Sequence, residues 1–266
     1  MAQATVRDVV DALALMYPPA LAQDWDVNGL NVGSLESKIN KVLFTVDVTK
    51  AVIEQAKQEK ANLIISHHPL MLHPVSLVSE ETQKGELISM LIKSEIALFN
   101  AHTNADVAPG GVNDCLAEVL GLTKVANFNE QGLGRIGELV TPVGLEIFAR
   151  EVKKKLPTNN AAVLVSGELD KKIHKVAICA GAGDSLLAEV RGLNVDLYLT
   201  ADLRHHPAQD NKELKGPALI SVSHWASEWP WLKKCANELD LKLKKQGLSI
   251  ETVISEINTD PWDLAL

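Results

Sequence analysis

Six side chains in this sequence have the types and spacing to hold metal ions: His67, His68, His102, Asp106, His224 and Glu228. The first two end the stretch Asn62-Leu63-Ile64-Ile65-Ser66-His67-His68-Pro69, a strand-like run that delivers two imidazoles before proline stops it. Adjacent residues on an extended backbone point to opposite sides. The pair is therefore poorly placed to chelate one ion and well placed to hold one ion each, or one ion and one substrate. His102 and Asp106 follow a second apolar run, Glu95 to Asn100, and His224 and Glu228 follow a third, Pro217 to Val222. Imidazole mixed with carboxylate suits zinc, iron, manganese or cobalt. With His102 set aside, three neutral histidines and two carboxylates are too many for one tetrahedral ion. They match two ions with a bridging carboxylate and open positions for water. Two divalent ions would outweigh two carboxylates, attract an anionic group such as phosphate, and acidify water. His102 reads either as a ligand, as a group that orients one, or as a proton donor. His73 and His174 read as surface residues.

The elements that must position these groups alternate between strand and helix. Lys41 to Asp47 is a predicted buried strand, and Thr49 can cap a helix through about Glu59 with Val52, Ile53 and Ala56 on one face. The strand Asn62–Ser66 follows, and a crossover of this length favours parallel pairing. A helix from about Glu80 to Ser94, the strand Glu95–Asn100 and a helix Val112–Leu120 closed by Gly121 continue the pattern. In parallel sheets ligands bind at the carboxyl ends of the strands, which is where His67, His68 and His102 fall. The pattern then repeats. Lys175 to Gly181 resembles Lys41 to Asp47, a helix is expected over Ser185–Arg191, and Asp196 to Thr200 resembles Asn62 to Ser66. His205-His206-Pro207 follows, matching His67-His68-Pro69. Strand, helix, strand and His-His-Pro in both halves indicates an internal duplication. His205 and His206 then reflect either that duplication or a substrate contact.

Other segments carry plainer expectations. Trp25, in Asp24-Trp25-Asp26-Val27-Asn28-Gly29, reads as a core plug, with Asn28 and Gly29 as turn residues. The Asn- and Gly-rich stretch 125–140 reads as a domain crossing. Near the end, Pro230 is tolerated in the first turn of a helix. Ser227 is therefore the expected N-cap, with His224 in the loop before it and the helix running to about Lys245.

Length and composition narrow the class. The chain has 266 residues, enough for one large or two small domains. A net charge of −8 argues against binding nucleic acid through phosphate contacts. The three cysteines lie far apart, with no thiolate-zinc or disulfide framework, as suits a reducing cytoplasm. No run of eighteen apolar residues exists, so no membrane span is expected. Arg7, Asp8 and Asp11 interrupt what would be a signal peptide's apolar region.

Taken together, five segments resemble the Nif-three-like family, whose members carry the label GTP cyclohydrolase I type 2 homologue. They are Asp24 to Leu30, Ser66 to Pro69, His102 to Asp106 with Gly111-Val112-Asn113, Gly134 to Gly137, and His224 to Glu228. The similarity runs in order through essentially the whole chain. The resemblance implies two similar, intertwined α/β/α domains. The first is discontinuous, 1–128 plus 221–266, and the second is 129–220. It also implies two divalent ions per chain. By the family pattern His68 and Asp106 hold one ion, His67 and His224 the other, and Glu228 bridges them. A ring-shaped homohexamer is implied as well. The function that follows is metal-dependent hydrolysis of a nucleotide or phosphorylated small molecule, with Glu228 and His102 as catalytic groups. A non-catalytic metal-binding or protein-interaction ring and a metal-dependent phosphoesterase are the alternatives. Two departures stand out. Thr200-Ala201-Asp202 replaces the family's Gly followed by an acidic residue, and 266 residues leave no room for the domain that longer members insert.

Overall fold

The computed structural model describes residues 2–158 and 160–266. The chain forms two α/β units. The first runs up to Ala108 and resumes over Leu232–Thr259, and the second takes Pro109–Trp231 and Asp260–Leu266. The divisions thus fall at 108 and 231, where 128 and 220 were expected. The strand Thr123–Asn127 explains the earlier one, because it pairs antiparallel with Arg135–Gly144 in the second unit's sheet. What reads as a turn-rich crossing is therefore a strand pair. Gly134 belongs there because of close approach: a Cβ at this residue would overlap the Phe128 ring and lie 2.6 Å from the Ile178 carbonyl oxygen.

In the first unit the main sheet has the order Glu251–Ile254, Lys41–Thr45, Leu63–Ser66, Ala97–Asn100, Gly29–Val32. The first four strands are parallel and the last is antiparallel. The connecting helices are Lys50–Gln58 and Gln83–Lys93, capped by the hydroxyls of Thr49 and Thr82. Leu43, Ile64 and Leu98 from the strands pack with Val52, Ile53, Leu87 and Leu91 from the helices. Each such side chain contributes about 1.5–3 kcal/mol on burial.

The second unit's sheet has the order Thr123–Asn127, Arg135–Gly144, Lys172–Ala182, Leu197–Ala201, Ala218–Val222, Leu164–Ser166. Its third, fourth and fifth strands are parallel. Ala177, Tyr198 and Leu219 on these strands pack with Leu187 and Val190 of the short helix Leu187–Val190.

Each unit therefore contains a βαβαβ run whose three strands lie side by side in chain order, which is the duplication the sequence indicates. In each, a five-residue helix follows the third strand: Thr103–Val107 in the first unit and His224–Glu228 in the second. The equivalence does not extend to the repeated tripeptide. His67 and His68 come immediately after strand Leu63–Ser66. His205 and His206 instead form the first turn of helix His205–Glu213, beyond Asp202-Leu203-Arg204.

Candidate metal centre

The candidate residues fall into two sets, one on each unit. In the first, Thr45, Ser66 and Asn100 are register partners across three parallel strands. Asp47, His67-His68 and His102 lie one or two residues past that line, so the sheet gathers them at one edge. His67 is fully buried, and His68 and His102 are partly so. Their ring centroids are 5.0–5.5 Å apart, and ligand atoms of all three lie within 4.8 Å of one another. Asp106, on the helix Thr103–Val107, brings Oδ1 to 3.7 Å from His67 Nε2. Ligands bound to one ion at about 2.0–2.2 Å stand roughly 3–4 Å apart. Those separations fit a metal ion.

In the second unit His224 and Glu228 occupy one face of the same short helix, with His224 Nε2 2.9 Å from Glu228 Oε1. The expected loop placement of His224 and capping role of Ser227 do not hold. Ser223 is the N-cap, its hydroxyl accepting from Ala226 N, and Trp229 is the C-cap. Pro230 starts a second helix, Pro230–Lys245, so it stands at the front of that helix without belonging to the first. Beneath the pair lies Gly181, at φ +66°. A Cβ there would overlap Glu228 Oε1 and lie 3.0 Å from His224 Nε2, so only glycine leaves the pair its space. Gly181 is pinned on both sides, donating its N–H to Ser227 Oγ at 2.9 Å and accepting from Thr200 Oγ1 at 3.0 Å.

All four histidines share one feature. Their Nδ1 atoms face acceptors: Ala101 O at 2.9 Å from His67, Asp47 Oδ1 at 2.7 Å from His68, Asp26 Oδ1 at 2.8 Å from His102, and Asp202 Oδ2 at 2.6 Å from His224. A carbonyl or ionised carboxylate can only accept, so Nδ1 carries the proton in each ring. In the neutral ring Nε2 then holds the lone pair that a metal requires, the usual arrangement around metal-binding histidines. Sequence spacing does not reveal these partners. Asp47 and Asp202 lie 21 and 22 residues from their histidines and Asp26 lies 76 away.

Charge accounts for the remaining geometry. His224 sits between two carboxylates, with Nδ1 on Asp202 and Nε2 against Glu228. Burial disfavours its imidazolium, but Glu228 and Asp202 outweigh burial and push the pKa up to about 11. The two carboxylates thus favour a positive charge at this ring. Burial likewise opposes ionisation of Asp26, yet hydrogen bonds from His102, Thr103 and Asn28 hold its carboxyl well below the usual range. Asn28, which reads as a turn residue, also accepts from His102 N at 2.7 Å. Trp25 is not a core plug. It is 60% exposed, because the turn around it is held by the side chain of Asp26 and not by burial of the indole. His205 and His206 are exposed and form no part of either set.

Two βαβαβ units with imidazoles and carboxylates presented just past the ends of parallel strands define an α/β protein with side chains able to hold a metal ion. Residues 4–261 match the Duf34/NIF3 (NGG1p interacting factor 3) family, and the chain belongs to it. A Streptomyces coelicolor protein called GTP cyclohydrolase 1 type 2 homolog is 37% identical, the match covering 97% of this chain and 93% of that one. A Mycobacterium leprae protein of the same name is 31% identical, covering 98% and 96%. That alignment spans 373 positions against 266 residues here, so the relative carries inserted sequence. Among solved structures, a Bacillus cereus protein related to NIF3 superposes with a TM-score of 0.93 at 25% identity, covering all of both chains. A Staphylococcus aureus protein gives 0.91 at 30% identity, covering 98% and 99%.

Proposed function

We propose that the chain holds two divalent ions and uses them to hydrolyse a nucleotide-like substrate, opening the purine ring of GTP with release of formate. The observation that carries this reading is the Nδ1 partner common to His67, His68 and His224, which leaves each Nε2 for ligation. The name shared by the relatives supplies the reaction. In this reading His67, His68 and Asp106 of the first unit and His224 and Glu228 of the second would hold the ions. Zinc, iron, manganese and cobalt all suit that donor set. Such ions, when bound, supply Lewis acidity and lower the pKa of water.

The chain's own groups do the rest. Asp47, Asp202 and the Ala101 carbonyl fix ring orientation and tautomer. Asp26 accepts from His102 Nδ1 and orients the ring, which leaves Nε2 as the atom through which a proton would pass. That makes His102 the proton donor. The same reading carries a homohexamer, tested by mass in solution. The activity is tested by formate release from GTP, comparing protein verified to hold two metals per chain with its Glu228→Gln variant. Formate from the first and not the second is expected. No formate from fully metallated protein would sink the GTP reaction and leave phosphate release from phosphoesters as the next assay.

A further inference from the structure

Trp25 is the largest exposed side chain beside the first set of candidate ligands. Its ring centroid lies 5.9 Å from that of His102, at an interplanar angle of 79°. An edge-on contact uses one ring's edge against the other's face, and the indole remains 60% exposed. At least one broad aromatic face is therefore open next to the imidazole proposed to donate a proton.

The turn that presents this ring is rigid. Asp26 N donates to Gln23 O at 2.9 Å, which places Trp25 inside a tight turn. Both ends of the turn are tied to Thr103, the residue after His102. Gln23 N donates to Thr103 Oγ1 at 2.9 Å, and Asp26 Oδ2 accepts from Thr103 N at 3.0 Å. The Asp26 side chain, fully buried, also accepts from Val27 N and Asn28 Nδ2, both at 2.8 Å, and binds His102 Nδ1. One carboxylate thus fixes both the proton donor and the turn that carries the indole. An indole held out by so many polar contacts differs from a scattered surface hydrophobe. Lone apolar residues such as Leu15 and Ile92 sit on helix surfaces.

We infer that Trp25 is a stacking platform that positions the planar heterocycle of the substrate against His102. The inference rests on the nucleotide reading above and deepens it: the ligand class is a phosphorylated molecule bearing an aromatic base. Trp25 is a positioning residue, and it accounts for recognition of the base where the ions account for recognition of phosphate.

The test is equilibrium binding to the full chain by calorimetry, with GTP and inorganic tripolyphosphate as probes, for the wild type, Trp25→Phe and Trp25→Leu. Stacking of a base on an aromatic side chain is worth roughly one to two orders of magnitude in affinity. The wild type is expected to bind GTP at least about tenfold more tightly than tripolyphosphate. Trp25→Leu should lose about tenfold for GTP and nothing for tripolyphosphate, and Trp25→Phe should recover most of the loss. GTP binding unchanged in Trp25→Leu overturns the inference. So does an equal loss for both probes, an altered mass in solution, or a wild type that binds the two alike or binds neither. Formate release with Trp25-independent binding would leave the hydrolase reading standing and remove this one. Trp25-dependent GTP binding without formate would do the reverse.

Discussion

Substituting Gly181 by alanine tests the second candidate set without touching either of its side chains. Two costs add. The residue sits at φ +66°, where a side chain costs about 1–2 kcal/mol. The new methyl would also overlap Glu228 Oε1. The strand cannot back away, because Gly181 is tied on one side to Ser227 and on the other to Thr200. The carboxylate must therefore move by about 1 Å to reach ordinary contact, which breaks the 2.9 Å contact with His224 Nε2. Disturbing a buried, charged hydrogen bond adds about 1–3 kcal/mol. The expected total is about 3 kcal/mol in urea unfolding of metal-stripped protein, with a loss of zinc affinity of about 10–100-fold. Gly247→Ala is the control. Its φ is +76° and nothing lies within 4 Å of the added methyl, so it should show the backbone cost alone and normal zinc binding. If Gly181→Ala matches Gly247→Ala in both measurements, the cradle argument is wrong.

Other outcomes follow from the same contacts. Asp47→Asn and Asp202→Asn should each weaken zinc binding about 10–100-fold in chelator competition while leaving the fold intact by circular dichroism. In metal-free protein His224 keeps its proton up to about pH 11, so zinc uptake at pH 8 should release that proton, seen with an indicator dye. Apparent affinity should rise with pH over that range, and less so in Asp202→Asn. Asp26 titrates below its ordinary value in the folded chain. Its contribution is therefore complete above the unfolded value of about 3.9 and is lost as pH falls through the folded one. Asp26→Asn should cost about 2–4 kcal/mol at pH 7 and progressively less toward pH 2, by urea unfolding. Finally, Asp114→Ala removes the carboxylate from the buried Arg135 guanidinium, which keeps the Gly132 and Gly134 carbonyls, and should cost about 1–3 kcal/mol by urea unfolding.

Much of the candidate cluster was legible because it sits where strand character stops. The apolar runs before His67 and before Ala101-His102 are strands, and their parallel pairing is what brings the histidines to one edge. The tautomer-fixing carboxylates were not legible, since a hydrogen bond across 76 residues leaves no periodicity. The helix holding His224 and Glu228 was hidden by its neighbour. Pro230 marks a helix start, but one that begins just after the shorter helix has ended, and Ser223 supplies the nearer cap. Trp25 shows the limit of reading burial from hydrophobicity. Its turn is anchored through Asp26 and Thr103, so the polar residues decide where the indole goes. The His-His-Pro match misled in detail while the repeat it suggested is present in the strands and helices.

The paired short helices also say something about descent. His102 and Asp106, like His224 and Glu228, stand four apart after the third strand of a βαβαβ run. An ancestor encoding one such run would already have carried an imidazole–carboxylate pair, and two copies of it as a homodimer would have carried the two pairs that follow the third strands today. Fusing the genes removes the requirement that both copies stay identical. In the present chain one copy carries aspartate and has adjacent histidines just past its second strand. The other takes the longer glutamate and puts Asp202 just past the equivalent strand. Asymmetry between the two halves, impossible for a symmetric dimer of one gene product, becomes available to selection.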